Sequence, residues 1–431
     1  MMKLLNVIKY VLYIEVILVA IFTAHSDVIF IVYWGYKFIV TMLDGNLSNY
    51  QNILYHNNFA TNYSMLCHIF TALILSPIYF IFKSSTYWHY IIFYKFILSI
   101  FTILSAKTLG NILKDLKFNK QQCILSEILY LSSMFVQPVS VMFGQIDFIS
   151  NFFLLLGLRY LVNKKFTISF MMFSLSYCFK PFTIIIITPI LCLLFFRIKR
   201  NIVKYIGILL SPYLIMSLLT YIFTNNFYKY TVLVNNLNRI YERFIGYENY
   251  AIEFLIIISL MIFLRLSKKL TFNTRKILTY PLYSFSIFTL IDIHYQWELY
   301  ESSLFIIMIM YICQNNFRVG IFAYIFINII QIIKYMSYNE HFFTYIFYES
   351  IINDKLVINF NNFIYPRILS SVKIVNIIYV ISIFFLIWLA NKRNNKNQLL
   401  TVSQCTIMGI LSFIPLIIYS LILCCFIQLK I

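Results

Sequence analysis

The chain has 431 residues, of which 61% are hydrophobic and 11% charged, and its formal net charge is +19. Soluble domains average roughly 45–50% apolar and about 25% charged residues, so this composition excludes an ordinary soluble protein. Apolar runs of about 20 residues recur from end to end, each long enough to cross a bilayer as a helix. A β-barrel would show short alternating segments instead. We therefore predict an all-α polytopic membrane protein in which residues 1–431 form a single integral-membrane domain.

The positive charge has a simple explanation in a membrane protein. Lys and Arg gather in short loops between apolar runs, where they set orientation, so no nucleic-acid partner is predicted. The eight cysteines lack CxxC or metal-finger spacing and are predicted to be small apolar fillers. Lys3 and Lys9 flank the start of the first apolar run, which has no small-residue cleavage pattern, so we predict an uncleaved first span.

Hydropathy predicts the spans in chain order. They lie near residues 5–24, 88–106, 122–142, 147–162, 166–178, 181–197, 203–223, 250–265, 277–292, 300–313, 317–334, 371–391 and 404–428. One further apolar run, 66–83, is ambiguous.

The basic loops resolve this ambiguity. Four loops, at 107–120, 197–204, 268–276 and 392–396, carry clustered Lys and Arg and should be cytoplasmic. All four fall on one side only if 66–83 lies at the outer interface without crossing. This gives about 13 transmembrane helices, a cytoplasmic N-terminus and a large first extracytoplasmic loop over 25–87.

Acidic residues gather at the opposite, outer side, beginning with Asp27 directly after the first span. A carboxylate held at the interface can act as a general base, and it can equally cap a helix N-terminus. The stretch "FGQIDF" leaves a similar choice, because Asp147 can cap the helix 148–162 while Gly144 and Gln145 suggest a shaped turn. Lys180, in the turn "CFKPF", either snorkels or binds phosphate.

The last outward cluster is "DIHYQWELYESS", residues 292–303. Its polar and aromatic side chains form either a pocket or an interfacial aromatic girdle. The members that favour a pocket are His294, Trp297, Glu298, Tyr300 and Glu301.

These clusters, in this order, resemble motifs of the GT-C membrane glycosyltransferases, and more narrowly of the bacterial relatives of the GPI-pathway mannosyltransferases. In that family a first span precedes a large outer loop with an essential Asp, often followed seven residues later by Trp, as Trp34 follows Asp27 here. A "GQxD" turn, a lysine–proline turn and a late "HERY" segment follow. The matching residues here are Gly144, Gln145, Asp147, Lys180, Pro181, Glu298 and Tyr300. The resemblance covers roughly residues 5–310, with 311–431 as C-terminal helices.

The resemblance implies transfer of a sugar from a polyprenyl-phosphate donor to a glycan or glycolipid acceptor on the extracytoplasmic face. A mannose-like hexose is one such sugar. Asp27 would be the catalytic base. Substrate would be bound by Trp34, Gly144, Gln145, Asp147, Lys180, His294, Trp297, Glu298 and Tyr300. No cofactor or metal site is predicted, with a divalent cation left open, and the membrane is either the plasma membrane or that of the endoplasmic reticulum.

Two other classes compete with this interpretation. An O-antigen-type polymerase or ligase also has many spans and a large outer loop, although that loop is usually late and arginine-rich. A lipid-linked-sugar transporter or flippase would carry charged or broken spans and repeated halves.

Overall fold

The computed structural model describes residues 1–24, 26–50, 53–54, 64–82, 87–137, 144–198, 201–223, 274–288, 298–337, 345–347, 357–358, 365–392 and 399–425. This part of the chain is helical apart from three very short strands. The predicted span 250–265 lies outside it.

Nine helices of the described residues precede residue 224. They are α1 Met2–Phe22, α2 Ser26–Leu43, α3 Met65–Ile81, α4 Tyr87–Asp115, α5 Lys120–Leu131, α6 Asp147–Val162, α7 Phe166–Phe179, α8 Ile184–Ile198 and α9 Ile202–Phe223. Seven more follow: α10 Thr274–Thr279, α11 Pro281–Phe288, α12 Leu299–Asn315, α13 Phe317–Ser337, α14 Tyr365–Asn391, α15 Val402–Leu411 and α16 Phe413–Cys425. Single 3-10 turns cover Leu47–Asn49 and Pro181–Thr183.

Six helical segments of the described chain are long and apolar enough to cross a membrane. They are Met2–Phe22, Trp88–Asp115, Ile202–Leu219, Phe317–Lys334, Ile374–Asn391 and Val402–Leu421. The first of these segments, α1, is apolar on both faces. Its buried face includes Leu5 and Leu12, and its exposed face includes Val7, Val11 and Ile14. A soluble amphipathic helix would carry polar residues on the exposed face. The predicted class of helical membrane protein is confirmed, and the count of 13 spans stays a prediction.

Helix α3 covers the ambiguous run 66–83. Its 17 residues reach about 25 Å at 1.5 Å per residue, short of a hydrocarbon core of about 30 Å. It packs on α2, where Gly35 lies so close to Thr71 that an added Cβ would meet its methyl at 2.6 Å. The placement of this run at the outer interface stays a prediction.

No continuous helix covers the predicted span 122–142, because α5 ends at Leu131, and the crossing of the membrane by this run stays a prediction. Two polar side chains, one from α13 and one from the segment directly after α5, bind backbone groups that further helical turns would have used. Asn328 Oδ1 accepts from the Met134 backbone N–H at 2.6 Å, and Gln137 Nε2 donates to Leu131 O at 2.7 Å. A helix inside a membrane protein can end only where such partners exist.

Two other predicted spans are interrupted. The run 277–292 breaks at Tyr280, and Pro281 opens the next helix, a position that suits proline because its missing N–H is not needed there. The run 404–428 breaks at Ser412, since Pro415 has no N–H to donate to the carbonyl of Leu411.

The core has two parts. The larger one contains buried residues of α1, α4–α7 and the later helices, whereas the smaller one joins α2, α3 and the first half of α4 around Trp34, Tyr50 and Tyr94. The six cysteines whose side chains the structure describes are free, and Cys67, Cys178, Cys313 and Cys405 are buried, as apolar fillers should be.

A small antiparallel sheet links the beginning of the chain to its later part. Strand β1 (Thr23–Ala24) directly follows α1 and pairs with β2 (Tyr345–Phe347), which pairs with β3 (Val357–Ile358). The three strands together cover only seven described residues, so the fold is helical as predicted.

Candidate functional site

Asp147 is the centre of a buried polar cluster built from three distant segments. Its side chain is 0% exposed, and Lys180 Nζ lies 3.2 Å from its Oδ2. The Tyr300 hydroxyl donates to its Oδ1 at 2.8 Å. We call Asp147, Lys180 and Tyr300 the Asp147 cluster; it joins the first turn of α6, the end of α7 and the first turn of α12.

The structure decides against Asp147 as a helix cap. Helix α6 begins at Asp147 itself, and its N-cap residue is Ile146, which makes no side-chain capping bond. Both carboxylate oxygens instead face side chains from other helices. The first helical turn still favours an acid electrostatically, because unpaired backbone N–H groups point toward it.

Lys180 is held in place by its own backbone. As the C-cap of α7 it donates its N–H to Ser176 O, and its carbonyl accepts from the Thr183 hydroxyl at 3.0 Å. Its ammonium is paired with Asp147, and its side chain is 12% exposed. Lys180 is therefore the member of the Asp147 ion pair that solvent or a ligand can reach.

Gly144 lies in the turn directly before α6, three residues before Asp147. Its φ of +69° is a conformation that glycine adopts without strain. A Cβ on Gly144 would lie 3.1–3.2 Å from three carbons of Lys95. Lys95, fully buried on α4, donates to the backbone carbonyl of Thr23 and to its hydroxyl at 3.1 Å. The turn that contains Gly144, buried Gln145 and Asp147 therefore lies between two lysines.

Asp27 lies in the first turn of α2, three residues after the end of β1. Its side chain is outside the described part of the chain, as are His294 and Trp297. The roles given to these three residues stay predictions.

Trp34 is buried inside the smaller core cluster. It is 6% exposed, and its indole ring centroid lies 5.3 Å from that of His68. Its backbone carbonyl accepts from the Tyr50 hydroxyl at 3.0 Å, which is 2.7 Å from His68 Nδ1. Burial raises the pKa of the Tyr50 phenol well above its ordinary value, so this hydroxyl stays protonated and donates. Because Trp34 is only 6% exposed, most of its side chain is covered here, and the role in substrate binding stays a prediction.

Glu298 belongs to a second buried cluster that sequence reasoning only partly found. It forms an ion pair with Lys334 of α13, and the Tyr379 hydroxyl of α14 donates to Glu301. We call these four residues the acid–lysine cluster. Sequence reasoning missed Lys334 and Tyr379 because each is a single polar group within a long apolar run. For Lys334 the available signal was the rarity of charged residues in such runs.

No described group of three or more His, Cys, Asp or Glu side chains has the arrangement of a metal site. In comparisons with family models, curated proteins and solved structures, the chain has no significant match.

Proposed function

We propose that this protein is a multi-pass membrane glycosyltransferase that uses a polyprenyl-phosphate sugar on the extracytoplasmic face of the plasma membrane. The observation that carries the proposal is the Asp147 cluster. Three segments singled out from the sequence, separated by 33 and 153 residues, meet through side-chain contacts. Such convergence is what a site requires and what independent helix caps do not explain.

The reaction would form a bond between an acceptor hydroxyl oxygen and the anomeric carbon. The bond from that carbon to the donor phosphate breaks, and the phosphate leaves with the electron pair. Negative charge therefore grows on the phosphate, where a fixed cation stabilises it. Lys180 supplies that cation, because its ammonium is positioned by Asp147 and its side chain is partly exposed.

The acceptor proton would go to the carboxylate of Asp27, the general base of the proposal. Tyr300 donates to Asp147 and is assigned to positioning, as is Gly144, whose missing Cβ lets Lys95 lie against the turn. Glu298 would act through its ion pair with Lys334, by fixing the first turn of α12.

The test is sugar transfer from a polyprenyl-phosphate donor by the full chain in vesicles. Asp27→Asn should lower transfer by about 100-fold or more, the usual contribution of a general base. Asp44→Asn is the matched control, since Asp44 is an exposed acid after α2 in the same predicted loop. Equal transfer by the two variants would reject Asp27 as the base, and absence of transfer by the wild type with every such donor would reject the function.

A lipid-linked-sugar transporter is a second candidate, and one observation favours it. Buried ionisable groups occur within apolar helices, among them Lys95, Glu301 and Lys334. Such groups often mark transport pathways. Translocation of the labelled donor without cleavage of its sugar–phosphate bond would support this candidate over transfer.

A further inference from the structure

The acid–lysine cluster contains more acids than cations. Glu298 and Glu301 lie one helical turn apart at the start of α12, and Lys334 faces them from α13. The Tyr379 ring, from α14, lies 4.4 Å from the Lys334 ammonium. All four side chains are at most 1% exposed.

Charge counting gives the state of this cluster. Two carboxylates and one ammonium would leave a net charge of −1 at a buried site. An uncompensated buried charge is strongly unfavourable, and the usual remedy is a bound proton. The charged or titratable groups that act on Glu301 in the described chain are Glu298, Lys334 and Tyr379, so no second cation there balances the pair.

The hydrogen bonds indicate which atom holds the proton. Glu298 Oε1 takes the Lys334 ammonium, so Glu298 is the paired carboxylate. Glu301 Oε1 accepts from the Tyr379 hydroxyl, as the carbonyl oxygen of a carboxylic acid does. Glu298 Oε2 and Glu301 Oε2 both have no hydrogen-bond partner in the described part of the chain, but only Glu298 is paired with Lys334, so Glu301 Oε2 is the position assigned to O–H.

Gln331 extends the polar site along α13. Gln331 lies on α13 one turn before Lys334, is 0% exposed and sits beside Glu298. Its amide lies close enough to Glu298 to stabilise that carboxylate, although neither amide atom meets full hydrogen-bond geometry with a described residue. A buried amide beside two acids can donate to a carboxylate or accept from a carboxylic acid, so it suits a site that binds a proton.

We propose that the acid–lysine cluster is a proton-binding site that holds one proton on Glu301 Oε2 at neutral pH. Release of that proton leaves two carboxylates to share one ammonium, which loosens the contact of α12 with α13 and α14. Tyr300 lies between the two acids in sequence and donates to Asp147, so the proton site and the Asp147 cluster share one helical turn. The inference does not depend on the proposed enzymatic activity.

The experiment is infrared spectroscopy of the purified full chain at neutral pH, which separates the carbonyl band of protonated carboxyl groups from the bands of carboxylates. Glu301→Gln should remove one carboxyl's intensity from the protonated band. Glu298→Gln should remove the same intensity, because Glu301 then ionises and pairs with Lys334. Lys334→Met should add a similar intensity, because both acids become neutral. Asp115→Asn, at a partly exposed ion pair, should leave the band unchanged.

Two outcomes would overturn the proposal: no loss of the protonated band in Glu301→Gln, or no gain in Lys334→Met. If a variant does not fold, Tyr379→Phe gives an independent answer. It removes the hydroxyl that donates to Glu301 Oε1 and should shift the protonated band without changing its intensity. An unshifted band would count against Glu301 as the protonated acid.

Discussion

Replacing Lys180 with Met tests whether the Asp147 cluster is a tightly buried ion pair. Methionine keeps much of the side-chain volume but removes the charge. Asp147, which is 0% exposed, would keep the Tyr300 hydroxyl and lose its cation. Breaking a buried pair by removing one partner costs about 3–5 kcal/mol. Lys180 is 12% exposed, so water can replace part of its contribution, and we expect about 3 kcal/mol.

The chain offers a matched control on α6, the helix that carries Asp147. Arg159, near the end of α6, pairs with Asp115 at the same nitrogen–oxygen distance of 3.2 Å, but the two side chains are 38% and 21% exposed. Asn163 Nδ2 also donates to Asp115 at 2.7 Å and would remain after the replacement. An exposed pair contributes about 0–1 kcal/mol, so Arg159→Met should cost under about 1 kcal/mol.

The assay is thermal unfolding of the detergent-solubilised chain, with both variants measured in one buffer. A double variant, Asp147→Asn with Lys180→Met, removes both charges and should recover part of the loss, as expected for coupled neighbours. The reasoning is refuted if Lys180→Met melts at the same temperature as Arg159→Met, or if the double variant is as unstable as the sum of its single variants.

Three further predictions concern stability and use the same assay. Gly157→Ala should cost about 1–3 kcal/mol, because its Cβ would lie 2.3 Å from the ring of Phe173 and separate α6 from α7. Asn119→Ala should cost about 1 kcal/mol, because its side chain caps α5 in a reciprocal capping box. Tyr50→Phe should cost about 1–3 kcal/mol, because it leaves buried polar groups beside Trp34 without their hydroxyl.

Each of these predictions has a contrary outcome. Gly207→Ala is the control for Gly157, since nothing lies within 4 Å of its added Cβ, and it should be neutral or slightly stabilising. Equal melting temperatures for the two glycine variants would contradict the close packing of α6 on α7. An unchanged Asn119→Ala would mean that the cap is not formed, and an unchanged Tyr50→Phe would argue against the buried hydrogen bonds of that hydroxyl.

Sequence reasoning was most accurate where one local rule dominates. The helix predicted over 147–162 spans Asp147–Val162 in the structure, because an apolar run begins directly after a glycine-containing turn. The same reasoning singled out Asp147, Lys180 and Tyr300. It left helix capping open as a role for Asp147, because a capping motif is local whereas the two partners of Asp147 are 33 and 153 residues away.

Hydropathy failed where distant polar groups change a helix. The end of α5 at Leu131 depends on Asn328, nearly 200 residues later, and no window over 122–142 contains that information. Lys334 was counted within an apolar span because one charge barely lowers the average. Its importance follows only from the two acids that it faces.

The short sheet has a consequence for any attempt to divide the chain. Strand β1, between α1 and the turn that carries Asp27, pairs with residues 345–347, and β2 holds β3 at 357–358. A fragment ending near residue 310 would contain the matched motifs but would leave β1 as an open edge, and it would lack Lys334 and Tyr379 beside two buried acids. Such a fragment should be unable to form the site by itself. Co-expression with residues 311–431 should restore it if the two pieces assemble in the same membrane.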